Sequence, residues 1–344
     1  MLFEAFSAGG CRSYVIGCEA SRAAILIDPE LSLIDNYRGH LLQHGLTLRY
    51  IVDTHTHADH FSASRQLGAA TGAHVVMHRL SAAPYADLRL DDGEMLIAGS
   101  LKLSAIHTPG HTADSMCLVT EDRVFTGDTL LIGGTGRTDL PTGDPHALFE
   151  SLFDKLLRLP GETLVYPAHD YKGRDHSTIA DEIASNPRLQ KTDRTAFVAM
   201  MRDLDLAAPT HLTEALRTNM SGGKTVAQLL AEAASGVPFM SLPELHARLG
   251  DNSADLVIVD LREKDAFEAG HVEGARHIPR GQLELRVNSE LPDPTARIIT
   301  CCEFGKISTL AAATLRELGY MRATALDGGI AAWREAGYAL EPKA

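Results

Sequence analysis

Two α/β domains in tandem are predicted, and three observations carry that reading. The chain has 344 residues, beyond the ~250–300 at which one hydrophobic core stops growing. Up to about residue 185, short apolar and β-branched stretches recur between Gly-rich turns, with few helices among them. From residue 241, strand-like and helix-like segments alternate, the rhythm of parallel βαβ units.

In the first region "SYVIGC", "AAILID", "YIVDTH", "AHVVMH", "LKLSAIHT", "SMCLVT", "RVFTGD" and "TLVYPAH" are read as strands, since each is short, apolar and bounded by turn residues. So many strands in succession predict sheets packed face to face with helices outside. The stretch "LRYIVD" enters the segment "THTHADH" as a buried strand, and "FSASRQLGAATGA" leaves it as a helix. Residues 190–240 are read as strand-free: an amphipathic helix "TAFVAMMRDLDL", a flexible break "NMSGGK" and a helix "TVAQLLAEAASG". This span is taken as a helical tail and linker, giving domains at 1–235 and 236–344. The second domain reads as helix "LPELHARLG", strand "DLVIVDLR", helix "EKDAFEAG", strand "RIITCC", helix "KISTLAAATLRELG", strand "ATALDGG" and helix "IAAWREAGY". Right-handed crossovers then bring the C-terminal ends of its strands to one edge.

Composition excludes several classes. The net charge of −13 divides into −9 over residues 1–240 (20 basic, 29 acidic) and −4 over the rest (12 basic, 16 acidic), so neither part is basic and nucleic acid is not an expected partner. No apolar run reaches the ~18 residues of a membrane helix. Glu4 stands where a signal peptide would carry a cation, so a cytoplasmic location is expected. A homodimer is compatible with these features. Cys11, Cys18, Cys117, Cys301 and Cys302 are expected as free thiols, because a bridge between adjacent cysteines is strained.

The segment "THTHADH" places His55, His57, Asp59 and His60 where a strand meets a helix. His111 in "HTPGHT", Asp128 in "FTGDT" and His169 in "YPAHDY" stand at comparable strand ends. Carboxylates and imidazoles buried there need a cation to offset their desolvation, so a metal centre is predicted. The remaining candidates His74, His78, His107, His146 and His176 are read as structural or surface residues. The residues alone leave the metal open. Two sites sharing Asp128 suit a zinc pair that activates water, and one site of two histidines and a carboxylate suits ferrous iron with positions for dioxygen.

The pattern T-H-x-H-x-D-H followed by His111, Asp128 and His169 resembles the metallo-β-lactamase superfamily over roughly residues 1–190, which implies an αββα sandwich. Within it, "HTPGHTADSMCLV", "FTGDTLLIGGTGRTD" and "YPAHDYKGRDHSTIADEIASNPRL" resemble the persulfide dioxygenases. That resemblance implies one Fe(II) per chain held by His55, His111 and Asp128, with His57, Asp59, His60 and His169 as an outer shell or second-metal set. It also implies that Arg137 and Tyr171 lie beside glutathione. Thr135 stands where several relatives carry Cys.

The stretches "DLREKDAFEAGHVEGARHIP" and "LDGGIAAWREAGY" resemble the rhodanese domain over residues 241–344, which implies a nucleophile at Cys302 and a sulfur-cradling loop of Glu303, Phe304, Gly305, Lys306, Ile307 and Ser308. The residues support this independently: a thiol between a strand end and a helix N-terminus faces inward N–H groups and the positive end of the helix dipole. Cys301 falls in the strand and reads as inert. Ile307 stands where many rhodaneses have arginine, which removes a bidentate partner for thiosulfate and favours glutathione persulfide as donor. Together the resemblances imply a bifunctional enzyme that oxidises glutathione persulfide with O2 to sulfite and glutathione and passes sulfur among glutathione, sulfite and thiosulfate. The alternatives are a dinuclear zinc glutathione thioesterase, glyoxalase II-like, with an accessory rhodanese domain, and a non-catalytic sulfur relay.

Overall fold

The computed structural model describes residues 1–204, 206–207, 212–250 and 256–342, and the chain divides into two compact units, Met1–Gly223 and Lys224–Ala344. The first unit holds two six-stranded sheets. In one, Leu2–Ala8, Cys11–Gly17 and Ala23–Ile27 run antiparallel, and Thr47–Val52, His74–His78 and Leu88–Leu90 follow in parallel. In the other, Arg123–Gly127 lies between Leu164–Pro167, parallel to it, and Met116–Val119, antiparallel, with Leu101–His107 and Met95–Ala98 beyond.

The inner faces meet in one core. Tyr14, Ile16, Ile25, Ile27, Val52 and Val76 from the first sheet pack against Leu103, Ala105, Leu118 and Phe125 from the second. The strands are buried on both faces. Leu26, Leu48 and Ile51 turn outward to Tyr37, Leu41 and Leu67 of the helices Ile34–Gln43 and Ser64–Thr71. Val124 and Val165 meet Leu148, Phe149, Ile179 and Phe197 on the opposite side. This is the αββα sandwich, and burial on two faces explains why its central strands read as continuous apolar runs.

The second unit contains a five-stranded, wholly parallel sheet in the order Phe239–Met240, Thr324–Leu326, Arg297–Cys301, Leu256–Asp260, Arg276–His277. Its helices pack on both faces. Ala311, Ala312 and Leu315 of Lys306–Glu317 lie on one side, and Leu245, Ile330 and Trp333 on the other. The helix Val226–Gly236 is fixed by a capping box, with Thr225 accepting from Gln228 N–H and Gln228 returning the bond to the Thr225 N–H. It belongs with the second unit.

Three readings of residues 190–240 change. The segment is not strand-free, because Phe239–Met240 pairs with Thr324–Leu326; two residues are too short to show a period. The first helix spans Arg194–Arg202, and Asp205 of the stretch read as helical lies outside the described residues. "NMSGG" is no flexible break: helix Leu212–Ser221 runs through its first three residues. Leu2–Ala8 escaped the pattern because its half-exposed run carries Glu4 and Ser7 among the apolar positions, and Met95–Ala98 because it is only four residues long and half exposed. Among the described residues no helix is long and apolar enough to cross a membrane.

Candidate functional site

Strand Thr47–Val52 ends just before Asp53 and delivers the segment 54–60 to the edge where Arg123–Gly127 delivers Asp128 and Leu164–Pro167 delivers His169. Donor atoms of His55, His111 and Asp128 all lie within 4.8 Å of one another, and the three residues are buried. His111 Nε2 is 3.6 Å from Asp128 Oδ2. The imidazoles are oriented from behind. His111 Nδ1–H donates to the Arg137 carbonyl at 2.8 Å, an approach open only because residue 136 is glycine: a Cβ there would sit 2.9 Å from His111 Nδ1 and 2.0 Å from the Asp128 carbonyl. Thr54 Oγ1 donates to Asp28 Oδ2 at 2.9 Å and is 3.0 Å from His55 Nδ1, so its lone pair is left to accept the His55 Nδ1–H. Both rings therefore keep the Nε2 lone pair for a ligand.

The residues fit a cation. His55 Nε2 is buried without a hydrogen-bond partner, an arrangement costly unless something occupies it. Burial, then the neighbouring His57 and His111, push the His55 pKa down to about 3, so it is a neutral donor. Burial alone would raise Asp128, but the imidazoles of His169 and His111 hold it well below the usual carboxylate range. Two imidazoles and one carboxylate form the donor set.

The other motif residues separate. His57 turns to Asp28 and Asp53, its Nε2 3.2 Å from Asp28 Oδ1 and 4.0 Å from Asp53 Oδ1. Asp59, His60 and His169 gather with Cys11 in a different cluster. His169 joins the clusters, with Nδ1 2.6 Å from Asp128 Oδ1 and Nε2 2.6 Å from Asp59 Oδ2.

A cavity of about 580 Å³ opens onto the metal set, lined among others by Cys11, Arg137, His169, Tyr171 and Arg188. The Tyr171 ring, largely exposed, lies nearly parallel to His169 with centroids 5.9 Å apart. Arg137 is clamped by Asp139 through two 2.6 Å bonds and reaches the Ala207 carbonyl. Arg188 donates to Thr135 O and Oγ1 and forms no ion pair among the described residues.

Sequence reasoning missed four residues here. Asp28 accepts from Thr54 N–H at 2.7 Å as well as from Thr54 Oγ1; its only trace was an aspartate closing the run "AILID". Asn219 is buried, donates to the His57 and His60 carbonyls at 2.9 Å each and accepts from Ser62 N–H. Cys11 and Arg188 carried no local signal.

In the second unit, strand Arg297–Cys301 ends one residue before Cys302, and helix Lys306–Glu317 begins four residues after it. Ser308 N–H donates to Cys302 Sγ at 3.3 Å, and Ser308 Oγ is 3.5 Å from the same sulfur. The loop is braced by the next helix, whose Ile330 and Ala331 N–H groups donate to the Cys302 and Glu303 carbonyls. Glu303 is held by Arg262 and Arg334. Phe304 and Ile307 are exposed. Cys301 is fully buried, and burial, then the charge of Asp260, pushes its thiol well above its ordinary value. All five cysteines are free.

Comparisons with known proteins agree with both halves. Residues 7–169 match the metallo-beta-lactamase superfamily and residues 241–336 the rhodanese-like domain. The human persulfide dioxygenase ETHE1, mitochondrial, is 39% identical over 227 residues, 65% of this chain and 89% of that protein. The crystal structure of ETHE1 from Myxococcus xanthus is 41% identical with a TM-score of 0.64, covering 65% of this chain and all of that one. A metallo-beta-lactamase structure from Staphylococcus aureus, 23% identical with a TM-score of 0.60, covers 95% of this chain and 98% of its own, a likeness of fold. By identity and coverage this chain belongs to the persulfide dioxygenase family of the metallo-β-lactamase superfamily, and it carries a rhodanese-like domain behind that part.

Proposed function

We propose that the protein is a bifunctional enzyme of sulfur metabolism. Its first unit oxidises glutathione persulfide with O2 to sulfite and glutathione; its second transfers sulfane sulfur through Cys302. The observation that carries this reading is the set of His55, His111 and Asp128, two imidazoles and a carboxylate with donor atoms within 4.8 Å of one another, in a chain of the persulfide dioxygenase family.

Fe(II) held by these three residues, one per chain, would bring the persulfide sulfur and dioxygen side by side. The overall reaction balances as persulfide, O2 and water giving glutathione, sulfite and two protons. The protein's own part is orientation. Asp28 and Thr54 fix the His55 tautomer, the Arg137 carbonyl fixes that of His111, and His169 holds Asp128. Arg188, with no acidic partner among the described residues, and Tyr171 at the cavity mouth suit a carboxylate-bearing tripeptide, and Arg137 shapes the wall through its clamp on Asp139. Placing both reactants in one cavity removes the entropic cost of a multi-body encounter.

In the second unit the Cys302 thiolate attacks the sulfane sulfur of a donor. The S–S bond breaks, the donor thiolate leaves, and Cys302 becomes a persulfide; sulfite then accepts that sulfur as thiosulfate, regenerating the thiolate. Ser308 N–H stabilises the anionic sulfur. The apolar, exposed Phe304 and Ile307 at the mouth suit glutathione persulfide better than a compact dianion.

Iron-loaded protein with glutathione persulfide in an oxygen electrode tests the first half, with metal analysis alongside. Oxygen uptake with sulfite release and about one iron per chain is expected. Cleavage of a glutathione thioester by zinc-loaded protein, with dissolved oxygen untouched whatever the metal, overturns it. Replacing Cys302 by Ser is expected to abolish sulfur transfer and leave oxygen uptake intact.

A further inference from the structure

The parallel sheet of the second unit has two edges, and the Cys302 loop uses only the one where its strands end. At the other, Phe239, Arg297 and Thr324 each open a strand, and all three line an open groove of about 330 Å³. Arg297 and Cys302 stand five residues apart along one strand and its end, about 16 Å at the rise of an extended chain. Helices Leu242–Leu249 and Lys306–Glu317 bring Arg248 and Arg316 to the same groove, and the turn before Thr324 brings Arg322.

The four guanidiniums are held in place without being neutralised. Glu244 is the one acidic side chain in the lining among the described residues, and it pairs with Arg248 alone, at 2.8 Å. Arg316 donates to the Met321 and Ala323 carbonyls and Arg322 to the Thr295 carbonyl, bonds that fix a guanidinium and leave its charge. The Arg297 side chain has no hydrogen bond or ion pair among the described residues. Four arginines against one glutamate leave the groove at +3 in a chain of net charge −13. Arg248, Arg297 and Arg316 are half-buried, so solvent screens their mutual repulsion less than it would on an open surface. An anion of several charges relieves that repulsion, and planar guanidinium forks match phosphate oxygens.

The groove also has an apolar lip. Phe239 and Met321 line it and are 46% and 61% exposed; a ring face and a thioether suit a flat aromatic group. The volume admits one small ligand, and the net negative charge of the chain disfavours an extended nucleic acid. We propose that this groove binds a nucleoside polyphosphate, with the arginines on its phosphate oxygens and Phe239 and Met321 against its base. The site is separate from Cys302 and from the metal set, goes beyond the sulfur chemistry and rests on neither reaction.

Calorimetric titration of the full-length protein with adenosine diphosphate, and separately with pyrophosphate, tests the site. Both are expected to bind, the nucleotide more tightly. Arg297→Ala is expected to weaken both by about tenfold or more, and Phe239→Ala to weaken the nucleotide by about tenfold while leaving pyrophosphate unchanged. Cys302→Ser is expected to bind as the wild type does. Hydrogen exchange on the wild type, which needs no variant to fold, is expected to slow around Phe239, Arg297 and Arg322 when adenosine diphosphate is added. Exchange unchanged there, protection confined to the first unit or to the Cys302 loop, pyrophosphate bound as tightly as the nucleotide, or an Arg297→Ala protein that binds like the wild type, overturns the proposal.

Discussion

Asp28 stands outside the set of His55, His111 and Asp128, yet it governs the tautomer of His55 through Thr54 and faces His57. It adopts φ 49°, a left-handed conformation that aspartate tolerates better than most residues. Asp28→Ala is expected to weaken metal retention at the first set by about 10–100-fold, the usual cost of removing an outer partner of a ligating histidine. Competition against a chelator, followed by iron analysis, measures it, and unchanged retention would sink the relay. The two adjacent cysteines divide by environment in the same way. Cys301 is fully buried with its thiol pushed up, and Cys117, where burial outweighs bonds from Thr108 and Thr129, is pushed up to about 12. Iodoacetamide at neutral pH is therefore expected to modify Cys302 and spare Cys301 and Cys117, as peptide mapping would show; equal labelling of Cys301 contradicts the assignment of the nucleophile. The nucleophile was legible because its loop is contiguous in sequence. Asp28 was not, because the residues it serves stand 26 or more positions away and its own neighbours are an ordinary strand and a proline.

Helix Leu212–Ser221 shows how an element can look like a linker. "NMSGG" has turn composition, and its contribution is polar: Asn219 ties three backbone groups of the metal-binding segment to the helix, while Tyr85 OH donates to its carbonyl at 2.6 Å. Hydrophobic periodicity cannot report such a clamp. Asn219→Ala leaves buried carbonyls without donors, and about 1–3 kcal/mol of stability is expected to be lost from the first unit, or several degrees in the melting midpoint, with weaker metal retention. An unchanged melt would show the clamp to be dispensable. In the second unit the helix Gly329–Glu335 approaches the Cys302 loop so closely that a Cβ on Gly329 would lie 2.4 Å from the Cys302 carbonyl, and φ there is 68°. Gly329→Ala is expected to abolish sulfur transfer and to destabilise the unit by more than ~1 kcal/mol. Wild-type transfer rates in this variant would mean that the loop moves without cost.

Each unit has its own hydrophobic core, so residues 1–223 and 224–344 expressed separately are each expected to melt cooperatively. Oxygen uptake should stay with the first and Cys302 sulfur transfer with the second. If 1–223 takes up oxygen only when the rest of the chain is supplied, the sites are not independent. By itself the sequence determined the two fold classes and pointed to seven candidate donors, His55, His57, Asp59, His60, His111, Asp128 and His169, and to the loop at Cys302, because each is written in local patterns: burial on two faces makes strands apolar throughout, and candidate ligands stand at strand ends. Only the tertiary structure decided which donors share a site. It split His57 from Asp59 and His60, brought in Cys11, Asp28, Arg188 and Asn219, and tied Arg137 to Asp139. Those groupings depend on hydrogen bonds and approaches of a few ångströms between segments far apart in the chain, and such distances exist only once the sheets have packed.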